Sequence, residues 1–331
     1  MSEPTETELP ADVPLPKDAD RFEAWVDGAR PQTQLWRMLV GVVIIAVVWI
    51  LWTILVLVIY LIVAVALWRQ DVQTVADQLA KGATPVVVLV MLSTFIGMWL
   101  GVALALKLLH KGQKVESLFS AEGRIRWREF GIGVAIIAGY ALISMSVYQL
   151  AGMNGGAYRN DISITTWLIF LLPMIVLLFL QSSGEELVFR GYIMQHLAGR
   201  FRHPLVWGLL PALAFGALHY ANGSFTEYSV YYVAVTVLFG LIAAVTVWRT
   251  GSISAAMGMH TTNNFLGFMV AGTNDSLTGT PLYLSPVSEL MKGAPYDTAM
   301  MVLMLVFVLS PLAPFPKRQL FARRKDTRAA P

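Results

Sequence analysis

Eight stretches of this 331-residue chain are apolar over roughly the length of a membrane crossing, and nothing else in the sequence constrains its fold as strongly. A crossing helix needs about 20 apolar residues at ~1.5 Å rise each. The stretches are approximately Met38–Leu67, Pro85–Leu106, Phe130–Leu150, Thr166–Ser183, Leu205–Tyr220, Tyr228–Trp248, Ile253–Ala271 and Thr298–Leu312. In lipid each backbone N–H and C=O must find its partner internally, so such runs form helices. Composition agrees: 56% of residues are hydrophobic and 14% charged, against about 25% charged in soluble domains. The expected fold is all-α, a polytopic membrane protein of about eight transmembrane helices with a polar site inside the membrane. The chain has no cysteine, which excludes disulfides, thiolate metal sites and cysteine nucleophiles. A net charge of +3 gives no electrostatic footprint for nucleic acid. The partner implied is the lipid bilayer.

Three regions follow from the same pattern. Residues 1–34 are acidic and poor in apolar side chains, and are expected to be a disordered cytoplasmic arm. They lack the basic-then-apolar start of a signal peptide, so no cleavage is expected. Residues 35–316 form the transmembrane domain, and residues 317–331 a basic tail suited to anionic headgroups. With eight crossings, 20 of the 24 Lys and Arg residues fall on the side that holds both termini; only Arg69, Lys81, Arg159 and Lys292 fall on the other. Positive charge marks the cytoplasmic side. Both termini are therefore expected in the cytoplasm. The basic, amphipathic segment between the second and third stretches is expected to lie on the membrane surface.

Within this apolar background stand a few polar groups. Ionisable side chains at membrane depth are costly and persist where they function or pair with one another. Glu186 and Arg190 are four apart, share a helix face and can neutralise each other. Glu185 is left free to meet water or a neighbouring helix, and a desolvated carboxylate beside a cation can serve as a general base. His219 follows Phe215 by four residues, so the ring can orient or desolvate the imidazole. His260 and Asn264 also share a face and can donate to one point, as a developing oxyanion requires. Taken singly, each motif has a simpler reading. The Glu–Arg pair can mark a cytoplasmic helix end, His219 can be a core histidine, and His260 with Asn264 can be polar glue between helices.

In order, Glu185-Glu186-Leu187-Val188-Phe189-Arg190, Phe215-Gly216-Ala217-Leu218-His219 and His260-Thr261-Thr262-Asn263-Asn264 read EExxxR, FxxxH and HxxxN. The ordered triplet resembles the CPBP family, which comprises type II CAAX prenyl endopeptidases and bacteriocin-processing or bacteriocin-immunity proteins, also called the Abi family. The likeness covers residues 166–271, a protease-like core. It implies an eight-helix intramembrane endopeptidase whose site opens toward the cytosol and whose substrate is a peptide or membrane protein. By the same resemblance Glu185 and His219 would activate a water, His260 and Asn264 would hold the oxyanion, and Glu186, Arg190 and Phe215 would support them. A metal-free reaction is preferred. If zinc takes part, Glu185, His219 and His260 would be its ligands. The alternatives are a non-proteolytic immunity or scaffold protein of the same family and an ion-coupled carrier. One geometric demand remains. Counted from the cytoplasmic ends, Glu185 lies near the inner surface while His219 lies about 15 residues, ~22 Å, into the fifth stretch. The two meet only if that stretch starts late or the fourth is tilted or broken, and residues 201–208 are expected to be partly interfacial.

Overall fold

In the computed structural model the chain is described over residues 20–152, 156–223 and 227–316. The helices in chain order are α1 (Arg21–Asp27), α2 (Leu35–Ile62), α3 (Val72–Lys81), α4 (Pro85–Ser93), α5 (Ile96–Leu109), α6 (Trp127–Leu150), α7 (Ile164–Glu186), α8 (Met194–Arg200), α9 (Leu210–Ala217), α10 (Glu227–Thr250), α11 (Ser254–Phe265) and α12 (Val287–Leu309). Three short strands, β1 (Tyr158–Arg159), β2 (Ala271–Thr273) and β3 (Tyr283–Ser285), make a small sheet in the order β1-β3-β2. The protein is an all-α polytopic membrane protein. On α2 the large apolar side chains Leu39, Val43, Ile50, Leu51, Ile54 and Ile62 point outward, which is the surface that lipid would cover.

Among the described residues seven helical stretches are long and apolar enough to cross a membrane: Leu35–Leu67, Pro85–Leu109, Trp127–Leu150, Ile164–Arg200, Leu205–Asn222, Glu227–Thr250 and Val287–Leu309. This differs from the eight expected. The missing one, Ile253–Ala271, is helical, as α11 and the π turn Leu266–Val270. It is too short and too polar to qualify alone, and it lies within the bundle rather than against lipid. Ser254 through His260 are all buried. At one end the Ser254 hydroxyl accepts from the Arg126 amide (2.9 Å), and at the other the Met269 carbonyl accepts from the Trp167 indole (2.9 Å). The segment therefore starts against the beginning of α6 and runs alongside α7 from Ser182 to Trp167.

Glycines make that burial possible. A Cβ on Gly258 would stand 2.1 Å from the Phe130 carbonyl oxygen, and one on Gly133 2.1 Å from that of Ala255. The two backbones are in direct contact, as small residues at helix interfaces allow.

The fourth stretch also departs from expectation. It does not stop at Ser183; the helix continues through the π turn Leu187–Ile193 into α8 and ends at Arg200. The Glu–Arg motif is thus inside a helix and not at its cytoplasmic end. This removes the depth conflict. Glu185 and His219 each stand about 15 residues from the loop that joins their helices, ~22 Å along either one. The last stretch begins earlier than expected, at Val287, and contains Pro295.

Hydrogen bonds gather the connections into two ends. At one, Arg37 donates to the Leu109 carbonyl, Gln32 to Lys111, Arg126 to Thr250 and Arg249 to Phe315. At the other, Gly279 donates to Gly82, and the Asn160 carboxamide donates to Thr278 and Pro281 beside the small sheet. The first end carries the basic segments. Arg190, which the sequence count had assigned to a loop there, is buried in the bundle instead.

Only part of the acidic arm is described, and that part is folded. Asp20 caps α1 by accepting from the amides of Phe22 and Glu23, and Phe22, Trp25 and Val26 are buried. Their spacing of three and four places them on one helix face, which overrides the acidic composition. The Trp25 indole donates to the Leu118 carbonyl (3.1 Å) and the Gln195 carboxamide donates to the Trp25 carbonyl (2.8 Å). Residues 1–19 and the basic tail, 317–331, lie outside the described residues.

Beneath α1 is a closed polar network. His196 Nδ1 donates to the Tyr192 carbonyl (2.7 Å), so its Nε2 accepts from His110 Nδ1 (3.2 Å), and His110 Nε2 accepts from the Tyr192 hydroxyl (2.9 Å). Burial, and after it the charge of Arg37, holds the His110 imidazole below its ordinary range. A group harder to protonate folded than unfolded contributes stability that is present above about pH 6.5 and lost as pH falls below it.

Two outcomes are expected from this packing. Gly258→Val should overpack α11 against α6, cost roughly 1–3 kcal/mol or more and lower the thermal midpoint in detergent. The wild-type midpoint should fall between pH 7.5 and 5.5, and His110→Gln should flatten that fall; an unchanged slope would contradict the network.

Candidate active site

Glu185 and Glu186 end the α-helical part of α7, and the π turn that follows carries Arg190. Inserted π turns are frequent at functional sites because they re-aim side chains within a helix. Glu186 is 0% exposed. Its Oε1 accepts from Arg190 (2.9 Å) and from His260 Nδ1 on α11 (2.8 Å). The pairing expected between Glu186 and Arg190 is therefore present, and it reaches one residue further. His260 Nδ1 carries a hydrogen, since an ionised carboxylate only accepts.

Glu185 faces the other edge of the same imidazole. Its Oε2 lies 3.5 Å from His260 Nε2 and has no hydrogen-bond partner among the described residues. Its Oε1 accepts from the Gln181 carboxamide (2.8 Å). The oxygen of that carboxamide accepts from Asn264 Nδ2 (2.7 Å). Asn264 therefore joins the group through Gln181, a residue outside the three motifs. Its signal was available: a carboxamide one turn before Glu185 in an apolar helix.

Phe215 is the apolar hub. The Arg190 guanidinium lies over its ring, 4.5 Å from the centroid, and the rings of His219 and His260 stand 4.6 and 5.8 Å away. A cation held this way is stabilised by the ring face. The Phe215 carbonyl also accepts from His219 Nδ1 (2.7 Å). That bond fixes the tautomer and leaves His219 Nε2 with a free lone pair. His219 sits just past the end of α9, partly exposed, 6.2 Å from the Tyr232 ring. It makes no hydrogen bond to Glu185 among the described residues.

The structure thus brings Glu185, Glu186, Arg190 and His260 into direct contact, Asn264 through Gln181, and His219 through Phe215. The buried side of the cluster is Arg190; the exposed side is Asn263, with Asn264 and His219 partly exposed beside it. Asn264 and His219 lie farther along α11 and α9 from the Arg-rich end than His260 and Phe215 do.

A zinc ligand set does not form from this arrangement. No group of three His, Asp or Glu side chains among the described residues is placed to hold a metal. Glu185 and His260 converge, but His219 stands beyond Phe215.

Charge balance gives the group its cohesion. Two carboxylates and one guanidinium leave one net negative charge; an imidazolium at His260 brings the sum to zero. Removing one partner of a buried pair costs about 3–5 kcal/mol because the orphaned ion stays buried, whereas replacing both by apolar groups is often neutral. Glu186→Gln is therefore expected to lower the thermal midpoint in detergent more than the double variant Glu186→Met/Arg190→Met. Equal or additive losses would contradict the pairing.

Comparison with known proteins agrees with the region so defined. Residues 166–266 match the family model described as type II CAAX prenyl endopeptidase Rce1-like. The chain is 26% identical over 187 residues to "Uncharacterized protein YyaK" of Bacillus subtilis (strain 168), an overlap of 56% of this chain and 60% of that relative's length. No solved structure matches the chain. The matched region contains every residue of the three motifs, so the likeness to the Rce1-like model is consistent with a CPBP family protein.

Proposed function

We propose that this protein is an intramembrane endopeptidase that hydrolyses a peptide bond with a water activated by Glu185 and His219. The observation that carries the reading is the free Glu185 Oε2, buried and aimed at an imidazole whose other nitrogen is held by Glu186. Glu186 Oε2 and Arg190 Nη2 are likewise without a hydrogen-bond partner among the described residues, but Glu186 is 0% exposed, whereas Glu185 is linked through Gln181 and Asn264 to the exposed edge; ionisable groups at membrane depth persist mainly where they function or pair.

The steps follow from the proton positions. Glu185 takes a proton from water as its oxygen attacks the peptide carbonyl carbon. The carbonyl oxygen becomes an oxyanion that Asn264 Nδ2 and His260 Nε2 can meet as donors. His260 can donate there only as an imidazolium, because its Nδ1 hydrogen is committed to Glu186. As the C–N bond breaks, the leaving amine takes from Glu185 the proton that came from water, and the free lone pair of His219 Nε2 can accept the proton that the new carboxylic acid gives up. Arg190 and Phe215 keep Glu186 and both imidazoles in place.

The substrate class we propose is a peptide or a segment of a membrane protein, reached at the exposed Asn264–His219 edge. On the charge asymmetry, the Arg-rich end and both termini would face the cytoplasm of a bacterial plasma membrane.

The test is cleavage of membrane-soluble, quenched fluorogenic peptides by the purified protein in detergent. Glu185→Gln and His219→Ala should each lose roughly 10²–10⁴-fold in rate, with the wild-type rate unaffected by a zinc chelator. Full activity in Glu185→Gln would overturn the reading. Loss of wild-type activity to the chelator would instead assign a metal. A non-proteolytic scaffold or immunity protein would cleave nothing and would keep its partner in the Glu185→Gln form.

A further inference from the structure

Gln181 stands one turn before Glu185 on α7 and is 5% exposed. A buried carboxamide must have its donors and acceptor met, and both bonds of this one go to the proposed site. Its Nε2 donates to Glu185 Oε1 at 2.8 Å, and its oxygen accepts from Asn264 Nδ2 at 2.7 Å.

The direction of these bonds is fixed by chemistry. An ionised carboxylate only accepts, so the Gln181 amino group must face Glu185. Its oxygen is then turned to Asn264, and Asn264 must answer with its own amino group. The Asn264 oxygen is taken up on its far side by Asn263 Nδ2 at 3.3 Å. Three carboxamides therefore run head to tail, with their polarity set by the Glu185 charge. Nothing in an HxxxN spacing requires this order. A free asparagine can present either its oxygen or its amino group, and only the amino group can meet an oxyanion.

We propose that Gln181 is a positioning residue. It locks the Asn264 carboxamide with its amino group toward the reacting carbonyl, and it occupies Glu185 Oε1 so that Oε2 is the oxygen left to act on water. The role rests on the peptidase reading; the Gln181–Asn264 bond does not.

Four proteins test it: wild type, Gln181→Leu, Asn264→Ala and the double variant. Leucine keeps the approximate volume and removes both bonds. Gln181→Leu should lower kcat on the fluorogenic peptides by roughly 10–100-fold, the scale of a misaligned oxyanion donor, with KM changed less than about twofold. In the Asn264→Ala background the same substitution should cost several-fold less than in the wild type, because only its hold on Glu185 Oε1 is then left to lose and residues that act through one another are not additive. Wild-type kinetics in Gln181→Leu, or losses that multiply in the double variant, would overturn the proposal. The same four thermal midpoints in detergent read the bond without catalysis. Coupled shifts support it and additive shifts overturn it, so a wild type that cleaves nothing would remove the peptidase reading alone.

Discussion

A carboxylate buried without access to water has to be met by cations and donors from its own protein, and Glu186 is such a group. Everything near the site can be read from that requirement. Arg190 meets it from the same helix and His260 from α11, both on one oxygen. Each partner is then itself buried and needs support: Arg190 lies over the Phe215 ring, and His260 faces Glu185 across its second nitrogen. The carboxylate that neutralises the arginine is thus also the one that orients the imidazole. Stability and chemistry share the same atoms.

The scaffold exists to hold two helices at that distance. The π turn at Leu187–Ile193 lets α7 continue past the ionic residues without turning them outward. Gly133 and Gly258 let α11 press against α6, so a helix too polar to face lipid is enclosed by ones that can. The Ser182 and Thr261 hydroxyls, 2.7 Å apart, pin α7 to α11 one residue from His260. The polar edge at Asn264 and His219 is then the side from which the enclosed cluster can be reached.

Much of this was legible in the residues. Apolar runs marked the lipid-facing helices, and the four-residue spacings of Glu186 with Arg190 and of Phe215 with His219 gave contacts that the structure contains. The failures share one physical origin, which is that polarity was read as exposure. The fourth stretch seemed to end at Ser183 because two glutamates and an arginine followed, but those charges satisfy one another and the helix runs on to Arg200. The residues before Asp27 seemed disordered because they are acidic, yet Phe22, Trp25 and Val26 dock on the bundle. Strands of two or three residues leave no periodicity to read. Gln181 was passed over because it belongs to no motif, although a lone carboxamide in an apolar helix needs a partner as surely as a charge does.

The measurement that bears most directly on the central claim, that α7 and α11 meet to assemble Glu185, Glu186 and His260, uses the absence of native cysteine. Ser182→Cys with Thr261→Cys replaces two hydroxyls 2.7 Å apart, close enough for a disulfide of ordinary geometry. Mild oxidation in membranes should join the two helices within one chain, and mass spectrometry should recover the linked peptides. Two fully oxidisable cysteines that never form that intramolecular link would contradict the assembly.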